Sequence, residues 1–161
     1  MVRRAPFGTQ VHGCLDELTE LLAVLGLRRT CGDRIVFLGD VIGKGPHPVD
    51  ALRLVRRTID ELGRGSELLI GNHEAALLKL IRARARGLPT QFFNKMASWS
   101  AAHRANYATR VRFASNLSSE EVAWLQRRPL KLYLPLPHRA APYLAVHAGL
   151  QVCTGERGYP P

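Results

Sequence analysis

Apolar residues along the chain follow two rhythms. Between Leu15 and Leu27 they recur at Leu15, Leu18, Leu22 and Leu25 or Val24, the three- and four-residue spacing of a helix with one buried face, and Gly26 marks its end. Pro48, suited to a first helical turn, opens a second such stretch that runs through Ala51, Leu52, Val55, Ile59 and Leu62 to Gly63. A third helix is predicted from Glu74 to about Arg86, with Gly87 and Pro89 as its stop. Phe92 to Arg112 looks helical but irregular, with Trp99, His103 and Tyr107 on one face, a stripe that reads as packing. Ser118 followed by Glu121 forms a capping-box pattern that begins a short helix carrying Val122, Trp124 and Leu125, and Pro129 closes it.

The second rhythm is the short unbroken apolar run. Ile35 to Leu38 stops at Gly39 and Leu68 to Ile70 stops at Gly71, as buried parallel strands do. Leu130 to Leu136 and Tyr143 to Val146 read as two more strands joined by a turn over Pro137 to Pro142. Before the first helix only Ala5, Pro6 and Phe7 precede Gly8, so the strand expected there is short. Alternation of the two rhythms predicts an α/β fold rather than a bundle or an all-β sandwich. With no repeat, low-complexity block or linker, residues 1–161 are expected to form a single domain, its motifs lying within about 8–152 and its tail at 153–161.

Composition narrows the partners. No run of about 20 apolar residues occurs, so no membrane span is expected. The formal net charge is +10, and 19 of the 23 basic residues are arginine, whose planar fork suits two-point contact with phosphate or carboxylate. Nucleotide or RNA phosphate, an acidic protein or an anionic membrane surface all suit such a chain, as does a merely solvated basic face. Cys14, Cys31 and Cys153 are odd in number and widely spaced, with no CxxC pair. That pattern indicates neither a zinc knuckle nor a disulfide framework and fits a reducing intracellular compartment. Arg3 and Arg4 precede the first acidic residue, Asp16, without a signal-peptide apolar region or a transit helix, which leaves mitochondrion and cytoplasm both open.

The candidate chemistry sits just after the predicted strands, at the edge where open α/β sheets build their sites. Four clusters occur there: Val11-His12-Gly13, Gly39-Asp40, Gly71-Asn72-His73-Glu74 and Val146-His147-Ala148-Gly149. Each places an imidazole, carboxylate or amide beside a glycine, which lets the backbone turn sharply and approach a ligand. A single such cluster is usually just a turn. Mixed nitrogen and oxygen donors from four separate loops suit divalent Mn, Fe or Zn better than Ca.

Gly39-Asp40-Val41-Ile42-Gly43-Lys44-Gly45-Pro46 resembles the second motif of the phosphoprotein-phosphatase group of calcineurin-like metallophosphoesterases, in the Lys-Gly-Pro variant of the ApaH-like phosphatases. Gly71-Asn72-His73-Glu74 matches the third motif and His147-Ala148-Gly149-Leu150 the fourth, while Leu117 to Leu130 looks like the approach to the fourth. The resemblance implies a calcineurin-like sandwich of β-sheets flanked by helices, with two divalent metals (Mn, Fe or Zn). It further implies His12 on the first metal, Asp40 bridging, Asn72 and His147 on the second, His73 as proton donor to the leaving group, and Lys44 clamping a phosphate oxygen. Family substrates are dinucleoside polyphosphates, capped RNA ends and phosphoproteins.

The pattern departs from the family in two places. The first motif should read Asp-x-His-Gly, but Gln10 replaces the carboxylate, removing a charge and adding a methylene. The family pattern also closes with a further strand pair and a Gly-His motif, whereas this sequence stops at Pro161, so the sandwich is expected to be incomplete at the C-terminal end. His47, His103 and His138 are assigned to structure or surface rather than to the missing ligand. Two readings follow. One is a degenerate phosphatase, with no metal or partial occupancy, serving as a structural or binding subunit whose protein partners cover an exposed sheet edge in a larger assembly, organellar or otherwise. The alternative is an active metal-dependent phosphohydrolase.

Overall fold

The computed structural model describes residues 7–8, 10–87, 101–134 and 142–148, the side chains of 7–8 and 101–107 excepted. Three parallel strands, β1 (Phe7–Gly8), β2 (Val36–Phe37) and β3 (Glu67–Leu68), pair in the order β1-β2-β3, with Phe7 opposite Val36 and Val36 opposite Glu67. Helix α1 (Leu15–Leu25) connects the first two strands and α2 (Pro48–Leu62) the second and third. Next come α3 (Asn72–Ala85), α4 (Ala101–Asn116) and α5 (Ser119–Gln126), then β4 (Lys131–Leu134) and β5 (Tyr143–Val146) as an antiparallel pair.

Ile35, Val36 and Phe37 are each 1% exposed, and Leu68 and Leu69 are fully buried, which explains why these strands read as unbroken apolar runs. The α2 stripe of Ala51, Leu52, Val55 and Ile59 packs into the same core, which also takes Leu77, Leu78, Phe113, Trp124 and Leu125. Helix α1 buries only Leu18 fully; Val24 is 78% exposed, so Leu25 takes the inward position. Gly26 closes α1 in the left-handed conformation that glycine reaches without strain, its N–H donating to Leu22 O.

Three boundaries differ from expectation. Strand pairing is confined to two residues in β2 and β3 and starts at Glu67 rather than Leu68; Leu69 N still donates to Phe37 O at 2.8 Å, but Ile70 N leaves the sheet for Pro129 O at 2.9 Å. Helix α3 begins at Asn72 rather than Glu74. Glu74 folds back to accept from Gly71 N at 3.0 Å, so it is the third helical residue and Gly71 is the cap. Strand β4 (Lys131–Leu134) starts one residue after the predicted Leu130, and residues 135–136 lie outside the described ones. The Trp99, His103 and Tyr107 stripe, the turn residues 137–141 and the tail 153–161 lie outside the described side chains. Among the described residues no helix is long and apolar enough to cross a membrane.

Candidate active site

Three of the four clusters leave the carboxyl ends of β1, β2 and β3, and their loops are laced together. Val11 N and His12 N both donate to Asp40 O, at 3.1 and 2.8 Å, Gly13 N to Val41 O at 2.7 Å, and Gly45 N to His12 O. These bonds hold His12 and Asp40 at φ 51° and 53°. Such a conformation costs a non-glycine residue about 1–3 kcal/mol and persists only where the surroundings over-determine it. Its effect is to turn both side chains into one space.

Glu74 fixes the third loop in register. It is fully buried, and its carboxylate accepts from Asp40 N at 2.8 Å, Gly71 N at 3.0 Å and Ile42 N at 3.1 Å. Burial pushes its pKa up, and the amide bonds from Ile42 and Asp40 oppose that shift. Every oxygen already faces an N–H donor, so the ionised form suits the site and the amides supply its solvation. With α3 anchored this way, His73 N donates to Asp40 Oδ1 at 3.0 Å, and Asn72 and His73 stand in the first helical turn beside the carboxylate.

Around Asp40 the side-chain donors separate into two groups. Oδ2 lies 3.9 Å from His12 Nε2, which is 3.2 Å from Gln10 Oε1. Oδ1 lies 3.4 Å from His147 Nε2, which is 3.1 Å from Asn72 Oδ1. A carboxylate that turns one oxygen toward each group has the geometry of a bridge.

His147 shows what the second group can accommodate. Its Nδ1 lies 2.6 Å from Leu38 O, a pure acceptor, so the ring proton belongs on Nδ1 and Nε2 presents a lone pair. Asn72 Oδ1 and Asp40 Oδ1 direct lone pairs at the same place. Three acceptors with no hydrogen among them repel one another unless a cation lies between them. Turning the Asn72 amide over gives the other solution, with its nitrogen donating to Asp40 Oδ2 at 2.9 Å and to Asp40 Oδ1 and His147 Nε2 at 3.1 Å. The group therefore fits a divalent cation with nitrogen and oxygen ligands, and one amide rotation adapts it to the cation's removal.

His12, Asp40 and His73 also bring ligand atoms within 4.8 Å of one another, and the two imidazoles meet edge-on with centroids 4.9 Å apart. His12 Nδ1 is buried without a partner, the kind of orphaned atom that marks a working site. Gly43 permits this approach: a Cβ there would stand 2.7 Å from His12 Nδ1 and 2.8 Å from His73 Nδ1. Burial lowers the His73 pKa from the ordinary imidazole value; Asp40 opposes the shift, and His12, Arg110 and Lys44 add to it.

Thus Gln10, His12, Asp40, Asn72, His73 and His147 converge, and Lys44 stands exposed at the rim of a recess shared with Gly43, His73, Arg110 and Phe113. His47 is exposed in the loop that leads to α2. The sequence reading missed two residues. In the sequence Glu74 opens a predicted helix and has no task in the site, although a carboxylate three residues after a glycine cap is a signal for one. Arg110 had no signal, because the irregular 92–112 stretch gave no face on which to place it.

The sequence model of the calcineurin-like phosphoesterases matches residues 11–155. The chain is 29% identical over 140 residues to a symmetrical bis(5'-nucleosyl)-tetraphosphatase of Methylococcus capsulatus, and 30% identical over 141 residues to one of Aromatoleum aromaticum. These alignments cover 87% of this chain and 41% and 42% of the relatives. The solved metallophosphoesterase from Sphaerobacter thermophilus superposes with a TM-score of 0.53 at 27% identity, over 82% of this chain and 44% of that one. The chain thus spans less than half the length of the relatives it matches.

Proposed function

As the chain belongs to the calcineurin-like phosphoesterase family, a family of divalent-metal chemistry, we propose that its site hydrolyses phosphoanhydride bonds of dinucleoside polyphosphates. The observation that carries this reading is the Asp40 carboxylate, with one oxygen toward His12 and the other toward His147. The likeness to two bis(5'-nucleosyl)-tetraphosphatases supports the substrate class. Gln10, His12 and Asp40 would hold one cation, and Asp40, Asn72 and His147 the other. A cation pair bound there would supply Lewis acidity toward phosphoryl oxygens and activate water.

The protein's own groups do the rest. Lys44 and Arg110 hold the phosphate that enters the recess beside His73. Water adds to phosphorus and releases a proton to solvent, the P–O–P bond breaks, and His73 passes its proton to the leaving phosphate oxygen. Burial lowers the His73 pKa and so favours its neutral form, while a polyphosphate anion beside it favours the imidazolium form that can give up the proton.

A second reading, a binding subunit that no longer hydrolyses, draws on Gln10, whose neutral oxygen hydrogen-bonds His12 where a carboxylate would add charge. Leu130, Tyr133 and Tyr143, exposed at 71%, 58% and 44%, would suit a covering protein partner. Metal analysis of the purified chain and assay of a dinucleoside tetraphosphate in Mn separate the two. Hydrolysis is expected to depend on Mn and to fall at least about 100-fold in Asp40→Asn, which removes the bridge. Bound metal without turnover would favour the binding subunit.

A further inference from the structure

We infer that Arg112 and Lys44 form a second phosphate subsite beyond the His73 recess, so that the site recognises a chain of phosphates rather than a single phosphoryl group. The inference rests on the phosphohydrolase reading for its substrate class, but on separate residues. The loop that follows Asp40 faces helix α4 across two adjoining recesses. Gly43, His73 and Arg110 line the inner one; His47, Asp50, Arg53 and Arg112 line the outer one. Lys44, Thr109 and Phe113 line both.

Helical geometry explains the arrangement. Successive residues are turned by roughly 100°, so Thr109 and Phe113 share a face, while Arg110 and Arg112 project to either side of it. The Thr109–Phe113 face forms the ridge between the recesses, with one arginine in each and Lys44 reaching both from the opposite loop. Phe113 is 5% exposed, so it serves as a wall rather than a stacking surface.

The cations differ in what they already hold. Arg53 is committed to Glu121, Nε to Oε1 at 2.6 Å, and to Asp50. Lys44, Arg110 and Arg112 form no ion pair among the described residues. The Asp50 carboxylate of the outer recess is held by Arg53, so three cations without an ion pair among the described residues leave a line of charge whose natural complement is a run of anionic groups. A phosphomonoester would occupy only the inner recess. An extended polyphosphate would continue past Lys44 to Arg112, where the guanidinium fork can hold two phosphate oxygens.

Calorimetry with the full chain tests this directly. Inorganic tripolyphosphate is expected to bind at least about tenfold more tightly than orthophosphate, the size of effect one charge-assisted contact supplies. Arg112→Ala should erase most of that preference and Arg112→Lys should restore part of it. Arg112 is exposed and forms no ion pair among the described residues, so its replacement is expected to leave the fold in place. In turnover assays, Arg112→Ala should lower kcat/KM for a dinucleoside tetraphosphate about tenfold more than for p-nitrophenyl phosphate. Equal affinity for the two inorganic ions, or equal losses on the two esters, would overturn the subsite. Absence of turnover on either ester with the tripolyphosphate preference intact would remove the hydrolase reading and leave the subsite standing.

Discussion

Gln10 is where the chemistry of a single side chain has the most leverage. Its oxygen stands 3.2 Å from His12 Nε2, so the residue still faces the first group of donors and lacks only charge. Gln10→Asp adds one negative charge beside a cation and is expected to tighten Mn binding by about tenfold or more in calorimetry. Gln10→Asn, neutral and shorter, should not. If Asp and Asn behave alike, reach rather than charge limits this group. The sequence made His12, Asp40, Asn72 and His147 legible because each lies within two residues of a glycine in a spaced motif. It could not reveal what they rest on: the left-handed His12 and Asp40, and the buried Glu74 that aligns two loops, are products of long-range hydrogen bonds.

Among the elements, α5 shows how one carboxylate can serve two structures. Ser118 Oγ accepts from Glu121 N at 3.1 Å, Glu121 Oε2 accepts from Ser118 N at 2.8 Å, and Arg53 of α2 donates to Glu121 Oε1 at 2.6 Å. The cap is local and was legible as Ser118 and Glu121 in sequence; its tie to Arg53, far along the chain, was not. Ser118→Ala is expected to cost about 1 kcal/mol in denaturant unfolding. The hydrogen bond from Arg53 is the main cause that lowers the Glu121 pKa. A carboxylate held below its unfolded value stabilises the fold above that unfolded value, and the contribution is lost as pH falls through the folded one. Thermal stability should therefore decline on acidification below the ordinary glutamate range, and less steeply in Glu121→Gln. Because the pair is partly exposed, the effect should shrink in high salt. Helix α3 carries the complementary lesson. Its start moves to Asn72 once Glu74 is recognised as a cap residue, which transfers a candidate ligand, Asn72, and the candidate proton donor, His73, from loop to helix.

Over the whole molecule, the α/β alternation was readable because buried parallel strands and one-faced helices write different periods into sequence. What escaped was the juxtaposition of distant segments. Arg110 and Arg112 gain meaning only when α4 lies opposite the loop after Asp40. Likewise, Ile70 N meets Pro129 O, joining the end of β3 to the start of the β4–β5 hairpin. His147 makes that second junction chemical. It emerges from the end of β5, while its Nδ1 binds Leu38 O beyond β2 and its Nε2 faces Asp40 and Asn72. A cation held there would stitch the two sheets to each other, and its affinity would include the work of seating the hairpin. Amide hydrogen exchange should then report occupancy as a change in cooperativity. In Mn, protection should rise in 131–134 and 143–146 more than in α2, and that difference should vanish in His147→Ala. Uniform protection would mean that the hairpin already unfolds with the rest of the molecule, as one unit.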